Sequence, residues 1–457
     1  MFRCRVALLA LVLIAPASAG QTLPSDPFTQ ARRIEEELSA LNDWPPGREA
    51  YKIEMQLTEL TKSQTALQVR LEDIQKTEEY KQFARKKREL QGKLQDAMEV
   101  QRTAIADAAR KIYSDRHAEL AARGTPPVPQ GRALKFDLLS FPRLDGSTST
   151  HPLAVIIASR LLGVSFEWQY PPPEAYIWHA TESTFNSPYW VLDSQLYNPA
   201  PEVKLAASRV EARGETEPEK RTALMINHLL AKNSNTHDSY QNLINGQCDL
   251  IFVARAMSKD ESALARDKHV EIDTVPIAQD ALVFLVHTGN QIHSLSRGQL
   301  TAIFNLKTEN WQDLGGPNRS IETLWREPNS GSRELFDAFN ILAGEPPPAN
   351  VHQLYALSMS GPYNALTVEP NGIGYSVYYY DQYMAMSPYT RRLAIDGIEP
   401  TPDTFASGKY PFVAPVFAAF RKSEPESSAA RRLVTWLVSP EGQAVVHQAG
   451  YIQAKTQ

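Results

Sequence analysis

Three short polar loops stand directly before predicted helices, and they contain the residue types that bind anions. The loops comprise residues 145–150, 233–239 and 326–333. Each combines Ser, Thr or Asn side chains with a helix start, where backbone N–H groups lack partners and the helix dipole is positive. Any one loop by itself is an ordinary helix N-cap. Three loops that converge with the guanidinium of Arg326 would instead form an anion site.

The elements that must position these loops alternate between strands and helices after Gly131. The predicted strands are Leu134–Phe141, Leu250–Ala254, Ala281–His287 and Gly374–Tyr380. The predicted helices are Pro152–Leu162, Tyr240–Asn245, Arg297–Phe304, Glu334–Leu342 and Glu426–Leu437. This alternation is typical of an α/β fold with mainly parallel sheets. Residues 166–218 are rich in Pro and aromatic residues, and we interpret them as an insertion or a long lid.

Further motifs follow one another in a characteristic order. They are Gly146-Ser147-Thr148-Ser149, Thr236 thirteen residues before Asp249, Pro276–Val283, Leu300–Phe304 followed by Asn310–Pro317, Arg326 with Ser330-Gly331-Ser332, Asn371–Tyr375, Gly408–Pro411, Ser439–Gln443 and Gly450-Tyr451. The series resembles the periplasmic phosphate-binding proteins of ABC transporters, a branch of the type 2 solute-binding fold. The resemblance covers about Leu134–Gln453.

The resemblance implies two lobes, joined by a hinge, that close on a dehydrated oxyanion. Burying a dianion is costly unless each oxygen gains donors, and neutral N–H and hydroxyl groups supply them without excess charge. Arg326 would be the charge partner, and Gly331 would permit close approach of the backbone. The implied hydroxyl or N–H donors are Thr148, Ser149, Thr236, Ser330 and Ser332, with Ser147, His237 and Arg255 as weaker candidates.

Two positions depart from the family pattern. The family usually has a carboxylate two residues after the clamp arginine, which accepts a hydrogen bond from protonated phosphate. This chain has Pro328 at that position and Glu327 one place earlier, so discrimination between phosphate and sulfate is open. Ala254-Arg255 stands where the family often has Ser-Arg, and Arg255 either faces the cleft mouth or pairs at the surface.

The composition is that of a soluble globular chain of two or three domains. The 457 residues are 42% hydrophobic and 22% charged, with a formal net charge of −5. This charge balance gives no sign of the positively charged surface that nucleic-acid-binding proteins need. Two cysteines are too few for a disulfide scaffold or a cysteine zinc site, and we interpret Cys248 as a packed thiol.

Residues 1–19 are predicted to be a cleaved signal peptide. Arg3 and Arg5 precede the apolar run Val6–Ile14, and Ala17-Ser18-Ala19 provides the cleavage pattern. A run of nine apolar residues is too short to span a membrane, which needs about 20. We therefore expect a protein exported to the periplasm.

Residues 20–124 are predicted to form a helical region ahead of the solute-binding domain. A heptad seam of Ile53, Leu57, Leu60, Gln64, Leu67, Leu71 and Ile74 weakens near Glu78–Lys87 and resumes from Leu90 to Ile112. Such helices form either an antiparallel hairpin or a coiled coil that makes a homo-oligomer through residues 28–123. The Pro-rich residues 125–131 are predicted to be a stiff linker, which places the solute-binding domain at 132–457.

The main functional hypothesis is periplasmic binding of phosphate or a similar oxyanion for uptake by an ABC transporter, whose permease would be a partner. The alternative is an envelope scaffold or sensor, in which the coiled coil docks on another envelope protein. An enzyme would need a nucleophile beside a base, or a metal cluster. The ten histidines are scattered along the sequence. We interpret His237, the one near the proposed site, as a loop residue whose ring is hydrogen-bonded, not as a catalytic group. We therefore expect no catalysis, no cofactor and no metal.

Overall fold

The chain is described here by a computed structural model over residues 37, 48–50, 52–53, 64–124, 134, 136, 140–162, 167–168, 188–189, 231–348, 355–356, 358–385 and 387–454. The structure divides into two compact units, Met1–Ala108 and Ala109–Gln457. The predicted signal peptide, the predicted linker and most of the predicted insertion lie outside the described residues.

Two helices follow one another before the linker, α1 (Gln64–Lys76) and α2 (Glu78–Ala122). They are interrupted at Thr77, whose hydroxyl accepts a hydrogen bond from the Tyr80 backbone N–H. Seam residues on both sides of this break are buried within the single chain, among them Leu71, Leu90 and Leu94. Leu57 and Leu60 lie outside the described residues. The buried seam residues are therefore covered by the chain itself, as an intramolecular helical hairpin requires, whereas Ile74 and Ile112 are half-buried.

The strands are β1 (Leu144–Gly146), β2 (Glu167–Trp168), β3 (Pro188–Tyr189), β4 (Leu250–Val253), β5 (Ile272–His287), β6 (Ser294–Leu295), β7 (Glu322–Thr323), β8 (Trp325–Arg326), β9 (Tyr355–Ala356), β10 (Gly372–Val377), β11 (Thr390–Arg392), β12 (Ala394–Ile395), β13 (Val413–Arg421) and β14 (Ile452–Gln453). The main sheet has the order β1-β4-β13-β5-β10-β7, with β11 and β14 also paired to β5.

The remaining helices are α3 (His151–Leu162), α4 (Thr236–Ile244), α5 (Lys259–Asp267), α6 (Arg297–Phe304), α7 (Gly331–Ala338), α8 (Gly361–Val368), α9 (Pro402–Ala406), α10 (Ala429–Leu437) and α11 (Pro440–Gln448). Single helical turns occur at Thr148–Thr150, Trp311–Leu314 and Tyr378–Tyr380, and a π-helical turn follows at Asp381–Ala385.

Strand β5 joins two lobes of the second unit. Its first part pairs with β13 and β14, and its second part pairs with β10 and β11. We call the part built on β1, β4, β13 and β14 the first lobe, and the part built on β7, β10 and β11 the second lobe. The segment expected to cross into the second lobe, Pro276–Val283, lies within β5.

The α/β class and the binding-protein fold are confirmed, but the expectation of mainly parallel sheets is wrong. β1 pairs with β4 in parallel, and β10 pairs with β7 in parallel. All pairings of β5 and β13 are antiparallel. Helix–strand alternation predicts parallel neighbours only where a helix crosses over, whereas these two long strands are inserted in the opposite direction.

All four predicted strands differ in their bounds. β4 ends one residue early, at Val253, and β5 begins at Ile272 instead of Ala281. The first strand is β1, and the described residues of 134–141 form no strand. The rings of Phe136 and Phe141 pack against each other there, with centroids 5.4 Å apart. β10 ends at Val377, and the three tyrosines that follow form a helical turn. Buried apolar side chains occupy both lobes, and Cys248 is a buried free thiol, as predicted.

Candidate functional site

The first polar loop leaves β1 and enters the turn Thr148–Thr150 at the edge of the first lobe. The Ser147 backbone N–H donates to the carbonyl of Phe252 at 3.1 Å, which holds the loop against β4. A Cβ at Gly146 would overlap that same carbonyl oxygen, so the position requires glycine. From the C-terminal end of the chain, the Tyr451 hydroxyl donates to the Ser149 carbonyl. The loop is thus fixed from two sides.

The second polar loop begins helix α4. The Asn235 side chain accepts from the Asp238 backbone N–H at 3.0 Å, and Thr236 behind this cap is 3% exposed. Asp145 ties this loop to the first one, because its carboxylate accepts from the backbone N–H groups of Gly146 and Ser234. Helix α4 therefore starts beside the first loop.

The third polar loop carries Arg326 from β8 into helix α7 of the second lobe. Arg326 is 5% exposed, and its backbone N–H donates to the Tyr375 hydroxyl at 3.1 Å. Ser330 caps α7 by accepting from the Arg333 N–H, and its own hydroxyl proton stays available for donation. A Cβ at Gly331 would lie 2.8 Å from the Thr236 hydroxyl oxygen, so glycine lets the second and third loops meet.

These three loops surround one cavity of about 640 Å³. Its walls include the charge partner and every predicted donor except Arg255: Ser147, Thr148, Ser149, Thr236, His237, Arg326, Ser330, Gly331 and Ser332. The other lining residues are Asn233, Ser234, Asn235, Asp238, Ala254, Glu327, Pro328, Asn329, Ser358, Met359 and Val377. Residues spread over more than 180 positions of sequence are brought together by the fold.

The cavity combines one guanidinium with many neutral donors. Desolvation on burial lowers the pKa of Arg326 from its ordinary value, although a guanidinium stays charged at any physiological pH. The Ser332 hydroxyl is buried and has no hydrogen-bond partner among the described residues. Within that same part of the chain, no cluster of three or more His, Cys, Asp or Glu side chains could hold a metal ion. The arrangement suits an oxyanion.

Arg255 does not have either of its two expected positions. Its side chain is 3% exposed and forms a bidentate ion pair with Glu261, at 2.6 and 2.7 Å. It therefore faces neither the cleft mouth nor the surface, because a carboxylate six residues later on α5 holds it inside the first lobe. His237 lines the cavity, but its ring nitrogens lie 2.9 Å from Glu261 and 2.7 Å from the Gln241 amide. Both residues belong to one hydrogen-bonded cluster beside the cavity, centred on Glu261.

Sequence reasoning missed two contributions to the site. Asp145 was noted only as part of a motif, yet its carboxylate also accepts from the Asn242 amide and so joins two loops. The available signal in the sequence was an Asp directly before Gly146-Ser147. Ser358 and Met359 complete the wall from the start of α8, and nothing in their local sequence marks them. Asp249, counted among the motifs, pairs instead with Arg143 at 2.6 Å.

The fold and this cavity define a solute-binding domain of two lobes. Residues 224–441 match the family model described as "PBP superfamily domain". The resemblance indicated by the loops is confirmed, because this domain is similar to proteins named as phosphate-binding proteins of the PstS type.

Several relatives illustrate this similarity. The phosphate-binding protein PstS of Staphylococcus epidermidis is 26% identical over 231 residues, which are 48% of this chain and 67% of that protein. PstS of Staphylococcus aureus is 22% identical over 235 residues, 50% of this chain and 69% of that protein. Among solved structures, an ABC-type phosphate transport receptor from Vibrio cholerae is 16% identical, with a TM-score of 0.42, over 68% of this chain and 100% of that chain. Among the described residues, no helix combines the length and apolar character needed to cross a membrane.

Proposed function

We propose that the second unit binds inorganic phosphate, or an oxyanion of the same shape, in the cavity between its polar loops. The observation that carries this proposal is the convergence of three loops, one from β1, one before α4 and one before α7, around a buried Arg326. Relatives named as phosphate-binding proteins support it. The region that the family model matches, residues 224–441, includes the second and third loops.

The binding mechanism follows from the donors in the cavity. Arg326 neutralises part of the anion's charge, and the hydroxyls of Thr148, Ser330 and Ser332 replace water around its oxygens. Helix N-termini at Thr236 and Gly331 add oriented N–H groups and the positive ends of two helix dipoles. The loops lie in different lobes, so closure of the lobes surrounds the anion and release requires them to open.

The proposal extends to location and partners. Residues 1–19 act as a cleaved signal peptide, the mature chain resides in the periplasm, and the closed lobes deliver phosphate to the permease of an ABC transporter. Residues 132–457 carry the binding function, after the helical region and the linker. Assembly through the heptad seam is not part of this proposal, because the seam residues Leu71, Leu90 and Leu94 are buried within one chain.

Isothermal titration of the mature chain, beginning at Gly20, tests the binding function. We expect saturable binding of one phosphate per chain, with sulfate titrated in parallel as the competing tetrahedral anion. A chain that is folded by circular dichroism and takes up neither anion would refute the proposal. Titration of Arg326→Ala in the same buffer shows whether any measured heat arises in this cavity.

A further inference from the structure

A group of side chains beside the cavity connects the two lobes directly. In the first lobe, Arg255 and Glu261 form a fully buried, bidentate ion pair. The Glu261 carboxylate also accepts from the Ser258 backbone N–H at 2.8 Å. A buried carboxylate that is satisfied by this many donors is held in one orientation, and it holds the guanidinium in turn.

The third loop reaches this pair from the second lobe. Arg255 Nη2 donates to the backbone carbonyl of Asn329 at 3.2 Å. The Asn329 side chain donates to the Asp260 carboxylate at 3.0 Å. Asn329 has a φ of +68°, a left-handed conformation that Asn adopts more readily than most residues. It immediately precedes Ser330 and Gly331, so these two hydrogen bonds act on the backbone that lines the cavity.

The second loop is attached to the same pair. His237 Nδ1 lies 2.9 Å from Glu261 Oε1, and His237 is next to the cavity residue Thr236. One buried ion pair thus contacts the second and the third polar loop, although these two loops belong to different lobes. We call Arg255, Asp260, Glu261 and Asn329 the inter-lobe bridge.

We propose that the inter-lobe bridge sets how long a bound oxyanion stays in the cavity, with Arg255 and Glu261 as positioning residues for the third loop. This inference rests on the proposed function of the cavity. Opening the lobes breaks the hydrogen bond from Arg255 to the Asn329 carbonyl and the one from the Asn329 amide to the Asp260 carboxylate. The bridge therefore stabilises the closed arrangement over the open one. Weakening it shifts the equilibrium towards open lobes and speeds release, whereas entry of the anion is little affected.

The test is the rate of phosphate dissociation from the full mature chain, measured by stopped-flow fluorescence. Asn329→Gly keeps the left-handed backbone and removes the amide that reaches Asp260. We expect its dissociation rate to rise about five- to tenfold, as for the loss of one hydrogen bond to a charged group, with an association rate within about twofold of the wild type. Arg255→Lys, which keeps the charge but shortens the reach to Asn329, should act in the same direction.

Asn340→Gly is the matched control, because Asn340 also has a left-handed φ, of +52°, and is exposed in the same lobe. It should release phosphate at the wild-type rate. If phosphate dissociates from Asn329→Gly at the wild-type rate, the proposed role of the inter-lobe bridge is wrong. If the wild type binds no phosphate, the proposed function fails instead. In that event, small-angle scattering still decides on the bridge: a larger radius of gyration for Asn329→Gly than for Asn340→Gly supports it, and equal radii refute it.

Discussion

Arg326 is the guanidinium that lines the cavity, and the predicted ligands Thr148, Ser330 and Ser332 there are hydroxyl donors. This ratio makes the charge partner decisive, because hydroxyl and N–H donors can solvate an anion but cannot cancel its charge. The side chain is 5% exposed, so its charge is little screened by water. At the scale of single residues, the affinity of the site should therefore depend more on Arg326 than on any one hydroxyl.

We expect Arg326→Ala to weaken phosphate binding by about 2–5 kcal/mol, because a buried charge partner of the anion is removed. Arg326→Lys should recover only part of this loss, since an ammonium cannot reproduce the two-pronged donor geometry of a guanidinium. Calorimetric titration of the three chains measures the effect. Wild-type affinity in Arg326→Ala would mean that the anion is bound by other residues.

Selectivity between phosphate and sulfate should depend on Glu327 and Pro328, which both line the cavity. A carboxylate in the site accepts a hydrogen bond from protonated phosphate and repels sulfate, which has no proton to donate at neutral pH. We expect Pro328→Asp to raise the preference for phosphate about tenfold or more, and Glu327→Gln to lower it. Competition titrations with both anions measure the ratio. An unchanged ratio in both variants would show that neither position contacts the anion.

The last turns of helix α2, from Ala109 onwards, belong to the second unit and pack against its other elements. Arg116 donates to the carbonyls of Asp381 and Gln382. Arg123 donates to the Tyr383 hydroxyl and to the His447 carbonyl, both at 3.0–3.1 Å. Leu120 is buried in the core beside Gly450. The contacts reach residues that follow β10 of the second lobe and residues of α11 in the first, so this helix end supports both lobes near their junction.

We therefore expect a fragment that begins at Ala109 to be more stable than one that begins at Gly131, by about 2–4 kcal/mol, since the shorter fragment loses these hydrogen bonds and the burial of Leu120. Both fragments should bind phosphate, because all three loops lie beyond residue 140. Urea unfolding followed by tryptophan fluorescence compares them. Equal stabilities would mean that the helix end contributes nothing to the second unit, and loss of binding in both would place part of the function before Ala109.

The two lobes are joined by β5, and this junction contains a buried carboxyl group. Asp280 is 1% exposed, and its Oδ1 accepts from the N–H groups of Ala281 and Tyr379 at 2.8 and 3.0 Å. Its Oδ2 is buried without a hydrogen-bond partner among the described residues. Desolvation raises the pKa of Asp280 to about 7, although the two N–H groups oppose this shift. The stability of the whole second unit should therefore depend on pH through this one group.

The folded state holds this proton more tightly than the unfolded state, whose Asp has a pKa of about 4. The contribution of Asp280 to stability is then fully present below about pH 4 and is lost as the pH rises to about 7. We expect Asp280→Asn, which cannot ionise, to gain about 2–4 kcal/mol relative to the wild type between pH 4 and pH 7. Urea unfolding at several pH values measures this difference. Asp267→Asn, at an exposed carboxylate, serves as the control, and parallel pH profiles of all three chains would contradict the prediction.

Local signals in the sequence were sufficient for much of this protein. Helix α6 has its predicted bounds, and the loops before the Thr148 turn, α4 and α7 were located because helix starts and hydroxyl donors are properties of neighbouring residues. Of the long strand that joins the lobes, only Ala281–His287 was predicted, because a run buried on both faces needs no polar alternation. Its start at Ile272, where exposed and half-buried positions are mixed, was not predicted.

Only the tertiary structure decided which long-range partner each charged or polar group has. Arg255 has a carboxylate partner within its own lobe and a carbonyl partner 74 residues away, so its burial in the inter-lobe bridge could not be read from its neighbours. Asp145 joins loops that are 89 residues apart, and the end of α2 packs on residues more than 260 positions later. The antiparallel pairing of β5 with β13 could not be predicted either, because it too joins segments that are far apart in the sequence. Strand order and ion pairing are set by which surfaces come together in space, whereas the sequence alone determined the local conformations and the donors that those surfaces present.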